Sequence, residues 1–158
     1  MSEENKRSIR ISVRNLVEFV LRSGDIDNRR SGNAQKDAML AGGRIHRKIQ
    51  KRMGSGYRAE VPLKHEVTDD EQELVLSVEG RADGIFTENG ITVIDEIKGM
   101  YTDVARLEAP IEVHLAQAMC YGYFYCCDKD LDGIRLQLTY CNLETEEIRR
   151  FQTDRSKE

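Results

Sequence analysis

Apolar residues recur every four positions at Ile45, Ile49 and Met53, which predicts a helix from about Ala34 to Met53 with one buried stripe. Gly54 and Gly56 end it. Upstream, Ser12 is a natural N-cap for a shorter helix, VRNLVEFVLRSG, that stops near Gly24. The segment GDIDNRRSGN between the two helices is rich in turn formers, and Asp25 and Asp27 belong to that turn chemistry. Beyond Gly56 the period shortens. YRAEVPLKHEV predicts a first strand, TDDEQ an acidic turn, ELVLSVEGRADGIF a long second strand and ITVIDEIK a third. A loop holding Pro110 leads to a helix over 112–127. GIRLQLTYCN and EEIRRFQT then predict two closing strands, joined by a turn around Leu143 to Thr145. The expected order is helix, three antiparallel strands, helix, two strands, an α/β sandwich. Residues 1–33 are expected as an N-terminal helix and loop, 34–152 as the core and 153–158 as a tail of the same single domain.

The turn between the second and third strands fixes more than topology. Asn89-Gly90 between two β-like runs signals a two-residue type I′ hairpin, so Glu88 faces Ile91 and opposed positions sum to 179. Asp83 then falls directly opposite Glu96, on one face of the sheet, with Cβ atoms about 4.5–5.5 Å apart. Lys98 points to that face as well, with Arg81 opposite it, while Asp95 points the other way beside Val93 and Ile97. Two opposed carboxylates destabilise a sheet by up to about 1 kcal/mol. A hard divalent cation such as Mg²⁺ or Mn²⁺ resolves the repulsion. So does a solvated sheet edge on which Arg81 and Lys98 neutralise the acids.

Composition narrows the class without choosing the chemistry. The chain has 158 residues, 39% hydrophobic and 33% charged, which fits one soluble domain with its own core. No apolar run approaches the roughly 20 residues of a membrane helix. MSEENKRSIR carries charge with no apolar stretch behind it, so no secretory leader and a cytoplasmic location are expected. The formal charge of −4 gives no general support for nucleic-acid binding, which would need a local basic patch. Arg44, Arg47, Lys48, Lys51 and Arg52 supply one at helical spacing. It serves equally well as a track for a DNA backbone or as a solvated helix face. Cys120, Cys126, Cys127 and Cys141 form no CxxC pair and read as small residues of apolar segments in a reducing compartment.

Four elements in order resemble the PD-(D/E)xK nuclease superfamily, in particular its RecB-like branch. They are Gly42-Gly43-Arg44-Ile45-His46 on a helix, Gly80-Arg81-Ala82-Asp83 on a strand, Glu96-Ile97-Lys98 on the next strand, and Gln117-Ala118-Met119-Cys120-Tyr121 on a helix. The likeness spans roughly residues 34 to 150, and it departs at Ala82, where the signature has Pro. RNLVEFVLRSGDID, GRIHRKIQ and VIDEIKG look most like the nuclease domain at the N-terminus of certain bacterial superfamily 2 DNA helicases. The chain contains no GxxxxGK[ST] phosphate loop, so no ATPase is expected within it. Some RecB-like nucleases carry an iron–sulfur cluster, but the upstream cysteine it needs is missing here.

The resemblance implies a restriction-endonuclease-like sandwich with a mixed central sheet and a Mg²⁺- or Mn²⁺-dependent DNA nuclease. It makes Asp83, Glu96, the carbonyl of Ile97 and His46 the metal site, and Lys98 the group that orients or deprotonates the attacking water. Gln117 and Tyr121, one turn apart, would flank the site and touch the phosphate or hold Lys98. Glu60 is a candidate extra acid, and Asp95 is excluded by register. His65 and His114 have no assignable partner. DNA is the expected partner, with a helicase, fused or separate, as a second. The alternative is a non-catalytic nuclease-fold module that docks DNA or a helicase.

Overall fold

The computed structural model describes residues 6–21 and 32–158. Asp25, Asp27 and most of the predicted first loop lie outside them. The described chain is an α/β fold around one mixed six-stranded sheet. It opens with β1 (Arg7–Ser12), α1 (Val13–Val20), α2 (Gly32–Arg52), β2 (Arg58–Asp69), β3 (Leu74–Glu88) and β4 (Ile91–Met100). A short 3₁₀ turn over Val104–Arg106 leads to α3 (Glu112–Lys129), β5 (Gly133–Asn142) and β6 (Ile148–Ser156).

Local chemistry sets most of these limits. Ser12 caps α1 as expected, its hydroxyl accepting the Asn15 N–H at 3.0 Å. The helix stops at Val20, earlier than Gly24, with Leu21 as its C-cap. Gly54, at φ +85°, closes off α2. Asp130 takes the left-handed conformation that ends α3, two residues beyond the predicted 127. Asn89 and Gly90 both have positive φ, the signature of the type I′ turn. The predicted tail does not exist as such, because β6 runs through residues 153–156 against the start of β5.

Strand β1 was not expected. It pairs parallel with β3, Arg7 to Ser12 against Leu74 to Glu79. Strand β2 covers β3 from Leu74 to Ile85. A strand has only two edges, so β1 and β4 must share the other one. Strand β4 pairs there with Gly84 to Glu88, and every pair sums to 179 as predicted. Gly80 to Asp83 therefore have no strand partner on that edge. The sheet forks at this point, and β4 turns away to pair in parallel with β5.

Helices cover both faces. Helices α1 and α3 enclose the main core with Val13, Val17, Ala82, Ile94, Phe124, Leu136 and Tyr140. Helix α2 lays Ile45 and Ile49 on Ile97 and Cys141 across the sheet, the predicted stripe, while Met53 is only half-buried. All four cysteines are free, with Cys126 and Cys141 buried. His65 does have partners: it stacks on Phe124 and meets Tyr123 edge-on.

His114 joins α3 to β5. Tyr140 Oη accepts the Ile111 N–H at 2.9 Å and lies 3.0 Å from His114 Nδ1, to which it can donate only while the imidazole is neutral. Burial, then the charges of Lys98 and Arg14, pushes the His114 pKa down to about 4. The unfolded chain, with an ordinary histidine, takes up its proton first as pH falls. The stabilisation is therefore complete above about pH 6.5 and lost between there and about pH 4. With solvent screening allowed for, the loss is on the order of 1–2 kcal/mol. Urea melts at pH 7 and pH 4.5 should show it in the native protein and show less of it in His114→Gln.

Candidate active site

The fork in β3 gathers the predicted residues. Asp83 and Glu96 occupy the first rung beyond the paired ladder, where the strands part. One oxygen of Asp83, Oδ2, takes the Ile97 N–H at 2.7 Å in place of a backbone acceptor. The other, Oδ1, lies 3.4 Å from His46 Nδ1 on α2. The N–H and C=O of a strand residue leave by the same edge, so the Ile97 carbonyl is also directed into the fork. Lys98 Nζ sits 3.1 Å from Glu96 Oε1. Across the opening, Tyr121 of α3 packs its ring and hydroxyl against the unpaired part of β3 at Gly80. Its ring lies so close that a Cβ at Gly80 would come within 2.7 Å of the hydroxyl.

Burial makes the pair of acids electrostatically expensive. Glu96 is only 6% exposed, and its Oε2 finds no hydrogen-bond partner among the described residues. Burial, then the charge of Asp83, lifts its pKa to about 8 against the opposing pull of Lys98 and His46. Burial opposes protonation of His46, yet the hydrogen bond and charge of Asp83, with Glu96 behind them, leave its pKa raised. The Tyr121 hydroxyl is held protonated by burial and by both carboxylates. The donor set of two carboxylates, a strand carbonyl and an imidazole, with an orphaned acidic oxygen among them, fits a hard divalent cation. Among the described residues, no three His, Cys, Asp or Glu side chains already stand as a closed cage.

Other predicted residues fall differently. Arg81 does not face Lys98. It pairs with Pro62 across β2, is exposed, and its Nε lies 3.8 Å from Glu60 Oε2. Gln117 is buried one turn before Tyr121, and its Oε1 has no partner among the described residues. The basic stripe is not continuous as a free surface. Glu146, from the β5–β6 turn, binds Lys48 at 2.6 Å and approaches Arg52 at 3.9 Å. Arg44, Arg47 and Lys51 are exposed on α2.

Asp95 is excluded from the fork, as register required. It is fully buried on the opposite face, where Tyr57 Oη donates at 2.8 Å, Thr139 Oγ1 at 2.6 Å and Gln137 Nε2 at 3.2 Å. Tyr57 lies over Gly84, where any Cβ would overlap its ring. Two contributors were not anticipated, Tyr57 and Gln50. The second had a visible signal, since it sits four residues after His46 on the same helix face.

No family model and no curated protein matches the chain. A crystal structure of the protein SSO0001 aligns with it at a TM-score of 0.60 and 21% identity, covering 96% of this chain and 68% of that one. The likeness is one of fold. It supports the mixed sheet with flanking helices.

Proposed function

We propose that this chain is a divalent-metal-dependent deoxyribonuclease of the PD-(D/E)xK type. The observation that carries the proposal is the orphaned Oε2 of buried Glu96 beside Asp83, with Lys98 on the other oxygen. A buried acid left unsatisfied next to a second acid is costly unless a cation completes the arrangement. Asp83, Glu96, the Ile97 carbonyl and His46 would hold Mg²⁺ or Mn²⁺, which supplies polarisation of the scissile phosphate and a water of lowered pKa.

The chain's own groups have separable tasks. Lys98, held by Glu96, donates toward the attacking water and steadies charge on the phosphoryl oxygens. Asp83 is kept aimed by the Ile97 N–H and His46. Tyr121 supports the unpaired part of β3, and Gln117 offers a carbonyl oxygen from the same helix. Arg44, Arg47 and Lys51 would meet DNA phosphates, with affinity falling as salt rises. The resemblance extends this to cleavage leaving a 5′-phosphate, exonuclease-type action in repair or recombination, and a helicase as partner.

Digestion of plasmid and single-stranded DNA in Mn²⁺ tests the proposal. The native protein should cleave, with Glu96→Ala and Lys98→Ala each slower by about 10²–10³-fold. Equal digestion by all three would mark a contaminant and leave a non-catalytic DNA- or helicase-docking module as the better description.

A further inference from the structure

The β2–β3 ladder lacks one rung. Ala59 pairs with Gly84 and Val61 with Ala82, so Glu60 should pair with Asp83, but it does not. Glu60 has φ +54°, a left-handed conformation that a glutamate in mid-strand adopts only under strain. The carbonyl of Asp83 is satisfied instead by a side chain from the helix above. Gln50 Nε2 donates to Asp83 O at 2.9 Å and to Glu60 Oε1 at 3.0 Å. Helix α2 thus grips a single residue twice, one turn apart: Gln50 holds the backbone of Asp83 and His46 its carboxylate.

We infer that Gln50 is a positioning residue that sets Asp83 against His46 and the Ile97 N–H, with Glu60 orienting its amide. The inference rests on the metal-site proposal for its functional weight but not for its geometry. Both hydrogens of the Gln50 amide are committed to acceptors, so the side chain is locked. The open rung is what makes room for it. Had Glu60 kept ordinary strand geometry, its own backbone would compete for the position opposite Asp83. The strained backbone thus exchanges a ladder bond for a helix-to-strand tie at the functional residue. Glu60, the candidate extra acid, then acts through Gln50.

Gln50→Met keeps the length and removes both donated bonds, and Gln50→Ala repeats the test if Met packs poorly. Glu60→Gln keeps an acceptor oxygen for Gln50 and is the conservative control. In metal-free protein the ¹⁵N-labelled Ile97 amide should shift and exchange faster in both Gln50 variants and stay near native in Glu60→Gln. Calorimetric Mn²⁺ affinity should fall by about 10–100-fold in the Gln50 variants and by less than about threefold in Glu60→Gln. An unchanged Ile97 amide in the Gln50 variants overturns the inference, and so does unchanged Mn²⁺ affinity where the native protein binds the ion. A tenfold loss in Glu60→Gln also overturns it, because Glu60 would then be acting directly. If the native protein takes up no Mn²⁺, the nuclease proposal fails by itself, and the Ile97 amide still decides the role of Gln50.

Discussion

Glu96→Gln should remove activity and make the metal-stripped protein more stable. The amide has nearly the same shape as the acid but carries no charge into a buried position beside Asp83. In the native protein the Glu96 pKa is lifted to about 8, so stability declines as pH rises from the ordinary glutamate range toward 8 and then levels off. The variant lacks that decline. Its advantage in EDTA should be small at pH 5 and on the order of 2 kcal/mol at pH 9. Mn²⁺ should raise the melting temperature of the native protein, remove most of that advantage, and leave the variant nearly unmoved. Cleavage should fall by at least about 10²-fold. A variant less stable than native at pH 9 in EDTA would mean that Glu96 is satisfied by contacts not recognised in the fork.

Its neighbour Asp95 should behave in the opposite way. Asp95→Ala leaves Tyr57, Thr139 and Gln137 with donors aimed at an empty space in the middle of the sheet. Breaking so complete a buried network costs roughly 3–5 kcal/mol. That is a large share of a typical stability of about 5–15 kcal/mol. Urea denaturation should show the loss, and expression of folded protein should drop with it. Asp95→Asn retains an acceptor and the shape. It should be milder, and nuclease activity should survive in it because Asp95 does not reach the fork. Loss of cleavage in a well-folded Asp95→Asn would bring that residue back into the site. Adjacent acids, one supporting the sheet and one burdening it, are separable by these two substitutions alone.

Much of this was legible because local chemistry dictated it. Asn89-Gly90 permits only one tight reversal, so the register is fixed from Glu88 opposite Ile91 to Gly84 opposite Asp95, which leaves Asp83 and Glu96 at the next position and turns Asp95 away from them. The Ile45/Ile49 stripe and the Ser12 cap were equally local. Strand β1 was hidden for the converse reason. RSIRIS is short and mostly exposed, and its partner begins at Leu74, so nothing nearby in the chain announces the pairing. Without β1 the fork could not be seen, because an ordinary hairpin would have continued the ladder through Gly80. Arg81 was misplaced on the same account: the rule of opposed positions held only up to Gly84. The basic stripe was read from one helix. Glu146, which holds Lys48 and approaches Arg52, comes from a turn nearly a hundred residues later. Gln50 and Glu60 depend on a backbone reversal in mid-strand that no propensity favours.

The two-residue reversal at Asn89-Gly90 also constrains how this chain can change over time. Loop tips usually absorb added residues without harm. Here an extra residue that displaced the pairing by one would carry Asp95 toward Asp83 and turn Glu96 to the far face. The tip therefore acts as a remote gauge of the spacing between Asp83 and Glu96, and length changes there should be purged as strictly as changes to the acids themselves.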